Sequence, residues 1–252
     1  MDILLTNDDG IRAVGLRALY SALIHAGHTV HVAAPMTEQS AVGHAITMFS
    51  PLRIKEVNES DFSGLGVSGT PADCVKLALS HLLPQTPDFI LSGINAGANV
   101  GVDVLYSGTV SAATEGALAG IPAMAVSVDE YHPTDLSGQA RYAVQLLEQD
   151  LWATFPTHCV LNLNFPAGSL WDAKGLKVCP QTAATYKDWY DERRDPRGNP
   201  YFWICGVIPP ENVAPDSDRG LLSQGFITAT PLTFDLTHAM YLDTLRGHLE
   251  II

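Results

Sequence analysis

The chain has 252 residues, 46% of them hydrophobic and 16% charged, enough to bury a substantial core as one large domain or one domain with an appendage. Its formal charge of −13 excludes long nucleic acid as a partner, because phosphate-backbone binding needs a basic face. A small anion stays open, since a metal or a helix N-terminus can supply local positive potential.

Residues 2–6 are predicted as a first strand, and Asn7-Asp8-Asp9-Gly10 stands at its carboxyl end. Residues 15–26 put Leu16, Leu19, Tyr20 and Leu23 on one helical face, with Gly27 as the C′ residue. Residues 29–34 form a second strand stopped by Pro35, and a polar loop at 36–50 follows, long for an α/β connection. Residues 52–57 and 64–68 predict a hairpin. Thr70-Pro71-Ala72-Asp73 then opens a helix to about Leu83, with Thr70 as N-cap, Pro71 at N1 and Asp73 at N3. A buried strand at 88–92 leads through a glycine-rich loop, 93–108, into a helix at about 110–119. A strand at 122–128, a helix near 136–150 and a strand at 159–164 complete the alternating part.

After Pro166 the character changes. Residues 174–182 read as extended, residues 186–207 as a long hairpin with a charged tip, and 226–230 and 238–246 as a last strand and helix. The alternation predicts a three-layer α/β fold with a mostly parallel, Rossmann-like sheet. The expected division is a catalytic core at 1–166 and a C-terminal extension at 167–252. Cys74, Cys159, Cys179 and Cys205 show no C-x-x-C spacing and are expected as reduced, buried thiols. No secretory signal is read at Met1-Asp2, and the apolar stretch 121–128 is too short to span a bilayer. A cytoplasmic location with no membrane partner is expected.

The chemistry concentrates where three loops leave strand ends: 7–10, 36–50 and 93–108. In a doubly wound sheet these ends share one edge, so the loops can converge. Adjacent carboxylates repel unless a cation or a shared proton neutralises them, and no basic residue stands nearer than Arg12. A divalent metal is the natural counter-charge. Asp8 and Asp9 supply anionic oxygens, Ser40 a hydroxyl and Asn95 a carbonyl oxygen. That set suits one Mg2+ or Mn2+ ion rather than structural zinc. No H-E-x-x-H occurs, and none of the nine histidines has a metal-binding spacing. Taken alone, Asp8-Asp9-Gly10 could be an Asx turn; the other two loops carry the reading to function.

Ser107, Gly108 and Thr109 precede a small-residue helix, where hydroxyls and exposed N–H groups favour an anion. Ser68-Gly69-Thr70-Pro71, similar in letters, is explained by helix initiation alone. A metal beside a phosphate cradle is what hydrolysis of a phosphomonoester requires, with Asp8 and Asp9 holding the metal and orienting or deprotonating the nucleophile. His44 is expected as a solvated loop residue and Asn99 as support behind Asn95. Arg193, Arg194 and Arg197 are read as a self-paired cluster with Asp191, Glu192 and Asp195. Two rival enzymes fit less well: a haloacid-dehalogenase-type phosphatase wants D-x-D, and a dinucleotide-dependent oxidoreductase wants G-x-G-x-x-G. A non-catalytic nucleotide-binding module would keep the cradle without needing two acids beside it.

Asn7-Asp8-Asp9-Gly10, Ala34-Pro35 with Gln39-Ser40, Val67-Ser68-Gly69-Thr70-Pro71-Ala72-Asp73-Cys74, Ser92-Gly93-Ile94-Asn95-Ala96-Gly97-Ala98-Asn99 and Tyr106-Ser107-Gly108-Thr109-Val110 resemble the SurE family of stationary-phase survival proteins. Asn162-Leu163-Asn164-Phe165-Pro166 and Thr228-Ala229-Thr230-Pro231-Leu232 extend the resemblance through the later part. It implies a metal-dependent 5′-nucleotidase acting on nucleoside monophosphates, with 3′ esters often accepted and short polyphosphate cleaved by some members. It carries metal ligation to Asp8, Asp9, Ser40 and Asn95, and phosphate contacts to Asn95, Ser107, Gly108 and Thr109. It also implies a homodimer or homotetramer built through the C-terminal hairpin. Ala41 departs from the glycine the family often has after its serine ligand.

Overall fold

The computed structural model describes residues 1–249. Strands β1 (Asp2–Thr6) and β2 (Thr29–Pro35) flank helix α1 (Val14–His25). A hairpin of β3 (Ile54–Asn58) and β4 (Ser63–Val67) precedes α2 (Pro71–Leu77), which widens into a π-type turn at Ala78–Leu82. Then follow β5 (Phe89–Ala96), α3 (Gly108–Leu118), β6 (Ala123–Val128), α4 (Ser137–Leu147) and β7 (Cys159–Phe165). The later part holds β8 (Leu176–Val178), β9 (Lys187–Arg194), β10 (Pro200–Val207), α5 (Asp218–Ser223), β11 (Ile227–Thr233) and α6 (Ala239–Leu249).

Nine strands make one sheet in the order β3-β4-β2-β1-β5-β6-β7-β11-β8. From β4 to β7 all neighbours are parallel; β3 and β11 pair antiparallel at either side of that block. The apolar run of β1 explains its central place, because a strand covered on both faces needs no polar side. Ile3 and Leu5 pack with Leu16, Leu19 and Leu23 of α1 and with Ala140, Ala143 and Val144 of α4. Leu4, between them, faces Cys74 and Val75 of α2 and Ala112 and Ala113 of α3. The result is the three-layer α/β architecture.

Local chemistry sets the element ends. Gly27, at φ +83°, closes α1 as a C′ residue, and Thr70 with Asp73 forms the reciprocal capping box that opens α2. The glycine-rich segment after Ser92 is partly strand: β5 runs on to Ala96, with a register shift against β6 between Ser92 and Asn95. Of 174–182, only Leu176–Val178 finds a strand partner, β11. The β9–β10 hairpin stands apart as its own two-stranded sheet. Cys205 lies on it half-buried, against the expectation of a buried thiol, while Cys74, Cys159 and Cys179 are buried; all four are free.

From β1 the chain moves to β2 on one side and later returns to β5 on the other. The gap between β1 and β5 is therefore the topological switch point, whose carboxyl end forms a crevice in open α/β sheets. Asn7-Asp8-Asp9-Gly10 leaves β1 there, and Asn95 and Ala96 end β5 beside it.

Candidate active site

The turn after β1 is tied before it is functional. The Asn7 side-chain amide donates to the Gly10 carbonyl at 3.0 Å, and Gly10 adopts φ +97°. That left-handed conformation favours glycine. The N–H of Ile11 reaches the Pro35 carbonyl at 2.8 Å and that of Gln39 reaches the Asp8 carbonyl at 2.8 Å, stitching this turn to the loop after β2. A turn closed by the Asn7 side chain and the candidate site thus occupy the same four residues.

Asp8 is buried, and its Oδ1 accepts a hydrogen bond from the Thr109 hydroxyl. The head of α3 comes this close because residue 108 is glycine: a Cβ there would lie 2.8 Å from Asp8 Cβ and 3.0 Å from Asp8 Oδ2. Ser107 is the N-cap of α3, its Oγ accepting the Val110 N–H at 3.0 Å. The hydroxyls of Ser107 and Thr109, expected to face a ligand, are therefore engaged within the protein. The cap takes the amide at N3, and the N–H groups of Gly108 and Thr109 at the helix start lean toward Asp8.

Asp9 is half-buried and held by β5, with its Oδ2 accepting the Ala96 N–H at 3.0 Å. The Asn95 amide nitrogen is spent on the Gly97 carbonyl at 2.6 Å, which leaves its Oδ1 as the atom for a cation. Ser40 is exposed in the loop after β2, its hydroxyl donating to Glu38 at 2.6 Å. Sequence pattern does not single out Glu38. Its one signal is an acid two residues before Ser40, in a loop assigned to the site.

Burial pushes the Asp8 carboxyl above the usual carboxylate range, only partly offset by the Thr109 hydroxyl and nearby N–H groups. Burial first, then the charge of Asp8 and finally that of Glu38, raises Asp9 to about 7 against the Ala96 N–H. Among the described residues no ion pair involves Asp8, Asp9 or Glu38; Arg12, the nearest basic residue in sequence, pairs with Glu59 at 3.4 Å. Nor, among those residues, do three His, Cys, Asp or Glu side chains group to hold a metal by themselves. Two uncompensated carboxyls with neutral oxygens from Ser40 and Asn95 fit a hard divalent cation that keeps water ligands.

The family model described as Survival protein SurE matches residues 3–188. This chain belongs to the SurE family. It is 61% identical to the 5′-nucleotidase SurE of Nitratidesulfovibrio vulgaris (strain DSM 19637 / Miyazaki F), over 97% of this chain and 91% of that protein. It is 60% identical to the 5′-nucleotidase SurE of Solidesulfovibrio magneticus, over 100% of this chain and 98% of that protein. The crystal structure of the SurE protein from Aquifex aeolicus superposes with a TM-score of 0.85 at 35% identity, covering 98% of this chain and 99% of that one.

Near this candidate site His44 is exposed in its loop, as expected, but it is also paired: Nε2 meets Glu115 at 2.8 Å, and Lys76 meets the other Glu115 oxygen at 3.3 Å. Burial alone would raise Glu115, yet the His44 hydrogen bond and the Lys76 charge hold it below its usual value. Asn99 is structural support, its backbone and side chain bonded to Asn164, Asn162 and Ser127 at 2.8 Å. Arg193 and Arg194 pair with Asp191 and Glu192 on the hairpin, and the Arg197 N–H bonds to Asp195.

Proposed function

We propose that this chain is a divalent-metal-dependent 5′-nucleotidase that hydrolyses nucleoside 5′-monophosphates to nucleoside and phosphate. 3′-Monophosphates and short polyphosphate belong to the same reading. One observation carries it: two adjacent carboxyls, without a cationic partner among the described residues, lie at the switch point of a SurE fold, Asp8 against the start of α3 and Asp9 against the end of β5.

Asp8, Asp9, Ser40 and Asn95 are the proposed ligands of one Mg2+ or Mn2+ ion. When bound, the cation supplies Lewis-acid charge for the phosphoryl oxygens and makes water easier to deprotonate. The chain's own residues do the positioning. Thr109 fixes the orientation of Asp8, and the Ala96 N–H fixes Asp9. Gly108 lets the start of α3 approach the reacting centre, and Asn95, Ser107, Gly108 and Thr109 line the phosphoryl position. Asp9 is the more open carboxylate and the one assigned to accept a proton from the attacking water.

Phosphate release from a panel of nucleoside 5′- and 3′-monophosphates, with Mg2+, Mn2+ or EDTA, tests this. Turnover is expected only with a cation, and Asp9→Asn should lower kcat by about 100-fold or more with the fold intact. Full activity in EDTA would end the proposal.

The remaining features extend the reading. Residues 1–166 are assigned the catalytic core, although β8 and β11 from beyond Pro166 complete its sheet. The hairpin presents Trp189, Tyr190, Phe202, Trp203 and Ile204 as exposed large side chains, which supports assembly into a homodimer or homotetramer. Free thiols at all four cysteines fit a reducing compartment, and the cytoplasm is the proposed location. No helix among the described residues is long and apolar enough to cross a membrane.

A further inference from the structure

Between β5 and α3 the chain makes a short 3-10 turn, Gly101–Leu105, that delivers Ser107 to its capping position. The Tyr106 N–H bonds to the Asp103 carbonyl at 3.0 Å and the Ser107 N–H to that of Val104 at 3.4 Å, so displacement of the turn is passed directly to the head of α3. Groups far away in sequence hold this turn. Asp218, the fully buried first residue of α5, accepts the Gly101 N–H on Oδ2 at 2.8 Å. Its Oδ1 accepts the Thr182 N–H at 2.8 Å and the Arg219 N–H at 2.7 Å. Gln181 donates to the Gly101 carbonyl, and the Arg219 guanidinium reaches the Val100 carbonyl at 3.4 Å and the Asp103 carboxylate.

Two facts make this more than ordinary packing. Among the described residues Asp218 has no cationic side chain as a hydrogen-bond partner; the backbone N–H groups of Gly101, Thr182 and Arg219 satisfy it. A buried carboxylate is costly unless such donors are all in position, so it holds the segments together or holds none of them well. Moreover, Thr182 and Asp218 are 36 residues apart and straddle the whole β9–β10 hairpin. The methyl of Thr182 fills the place a side chain would take at Gly101, 2.5 Å from an added Cβ, and Gly101 has φ +59°. Both feet of the hairpin thus grip the turn that leads to the proposed phosphate position. Tyr186, at the first foot, lies against the same group, 5.9 Å from the Arg219 guanidinium.

We propose that Asp218, assisted by Arg219, is a positioning residue for the phosphoryl-binding end of the site, and that the footing of the hairpin sets how tightly the phosphate group is held. This deepens the nucleotidase reading and rests on it for its kinetic consequence. In Asp218→Asn the amide oxygen can satisfy one set of N–H donors, but the NH2 group faces the other. KM for adenosine 5′-monophosphate and Ki for inorganic phosphate should then rise together by about 5- to 100-fold, the equivalent of one buried donor left unmade. The Mn2+ dissociation constant should rise less than Ki, because of the four proposed ligands Asp8 is the one bonded to the head of α3, while Asp9, Asn95 and Ser40 are held by Ala96, Gly97 and Glu38. Hydrogen exchange should quicken in peptides spanning 99–107 and stay unchanged in those spanning 2–9.

Arg219→Met, which touches a partly exposed contact, gives the same readouts if Asp218→Asn does not fold. Arg219→Lys should recover part of the loss. Wild-type Ki and wild-type exchange in every variant that folds would overturn the proposal. If the wild-type protein releases no phosphate with any cation, the nucleotidase reading fails instead, and the exchange experiment still decides whether the clamp exists.

Discussion

Asp9 stands between two other carboxyl groups, Asp8 and Glu38, with one backbone N–H to soften the repulsion. Its pKa is raised on folding, from 3.8 to about 7. A carboxyl raised in this way binds its proton more tightly in the folded state. Its contribution to stability is complete below pH 3.8 and is lost as pH climbs to about 7. Asp8 moves in the same direction. Thermal unfolding in EDTA should therefore show Tm falling across that window, and Mn2+ should restore Tm most strongly at its upper end. Asp9→Asn should flatten the slope; a wild-type protein with pH-independent Tm in EDTA would contradict this account. Gly108 gives a second test at the same scale. Gly108→Ala places a Cβ 2.8 Å from Asp8 Cβ, so Asp8 and the head of α3 must shift apart. We expect a loss of kcat of at least about tenfold with weaker Mn2+ binding, read by turnover and titration.

The long loop between β2 and β3 is held by the caps of its neighbouring helices. Asp73 closes the capping box of α2 and also accepts the Thr47 N–H at 2.9 Å and the Thr47 hydroxyl at 2.6 Å. Thr70 in turn donates its hydroxyl to the Ala45 carbonyl at 2.7 Å, and the Gly43 N–H bonds to the Tyr106 carbonyl at 2.9 Å. The capping box legible at Thr70-Pro71-Ala72-Asp73 explains only part of this bonding, because it relates positions within one helix and names no loop partner. Asp73→Ala should cost about 1–3 kcal/mol in urea unfolding, above a simple cap loss, since the half-buried Thr47 N–H of the loop also loses its acceptor. Hydrogen exchange in 42–48 should rise in the same variant. An unchanged loop with a destabilised α2 would separate the two roles.

At the scale of the molecule, the α/β part and the hairpin obey different rules. The main sheet buries apolar side chains on both faces, whereas the hairpin leaves its aromatics in the open. Such a surface on a two-stranded ribbon outside the sheet is the one we propose a second copy covers. Trp203→Asp should shift the protein toward monomer in light scattering while circular dichroism of the main fold is retained, because no strand of the main sheet pairs with β10. An unaltered mass would assign assembly to another surface.

Much of this is legible in one dimension. The strand and helix periods specify the layers, Thr70-Pro71-Ala72-Asp73 specifies a helix start, and the paired acids at a strand end mark the proposed site, because each depends on neighbours in sequence. What neighbours cannot report comes from the tertiary structure. Asn99 turns inward to Asn162 and Asn164, His44 finds Glu115 on α3, and Glu38 joins the acids, since each contact joins residues brought together by the sheet. The connection hand is another case: α1 and α4 share one face although β1 to β2 and β6 to β7 travel in opposite directions across the sheet, so these two crossovers have opposite hands. Side-chain pattern specifies which face a helix buries; which strand lies next to which, and therefore which polar groups meet, is decided by packing of the whole chain.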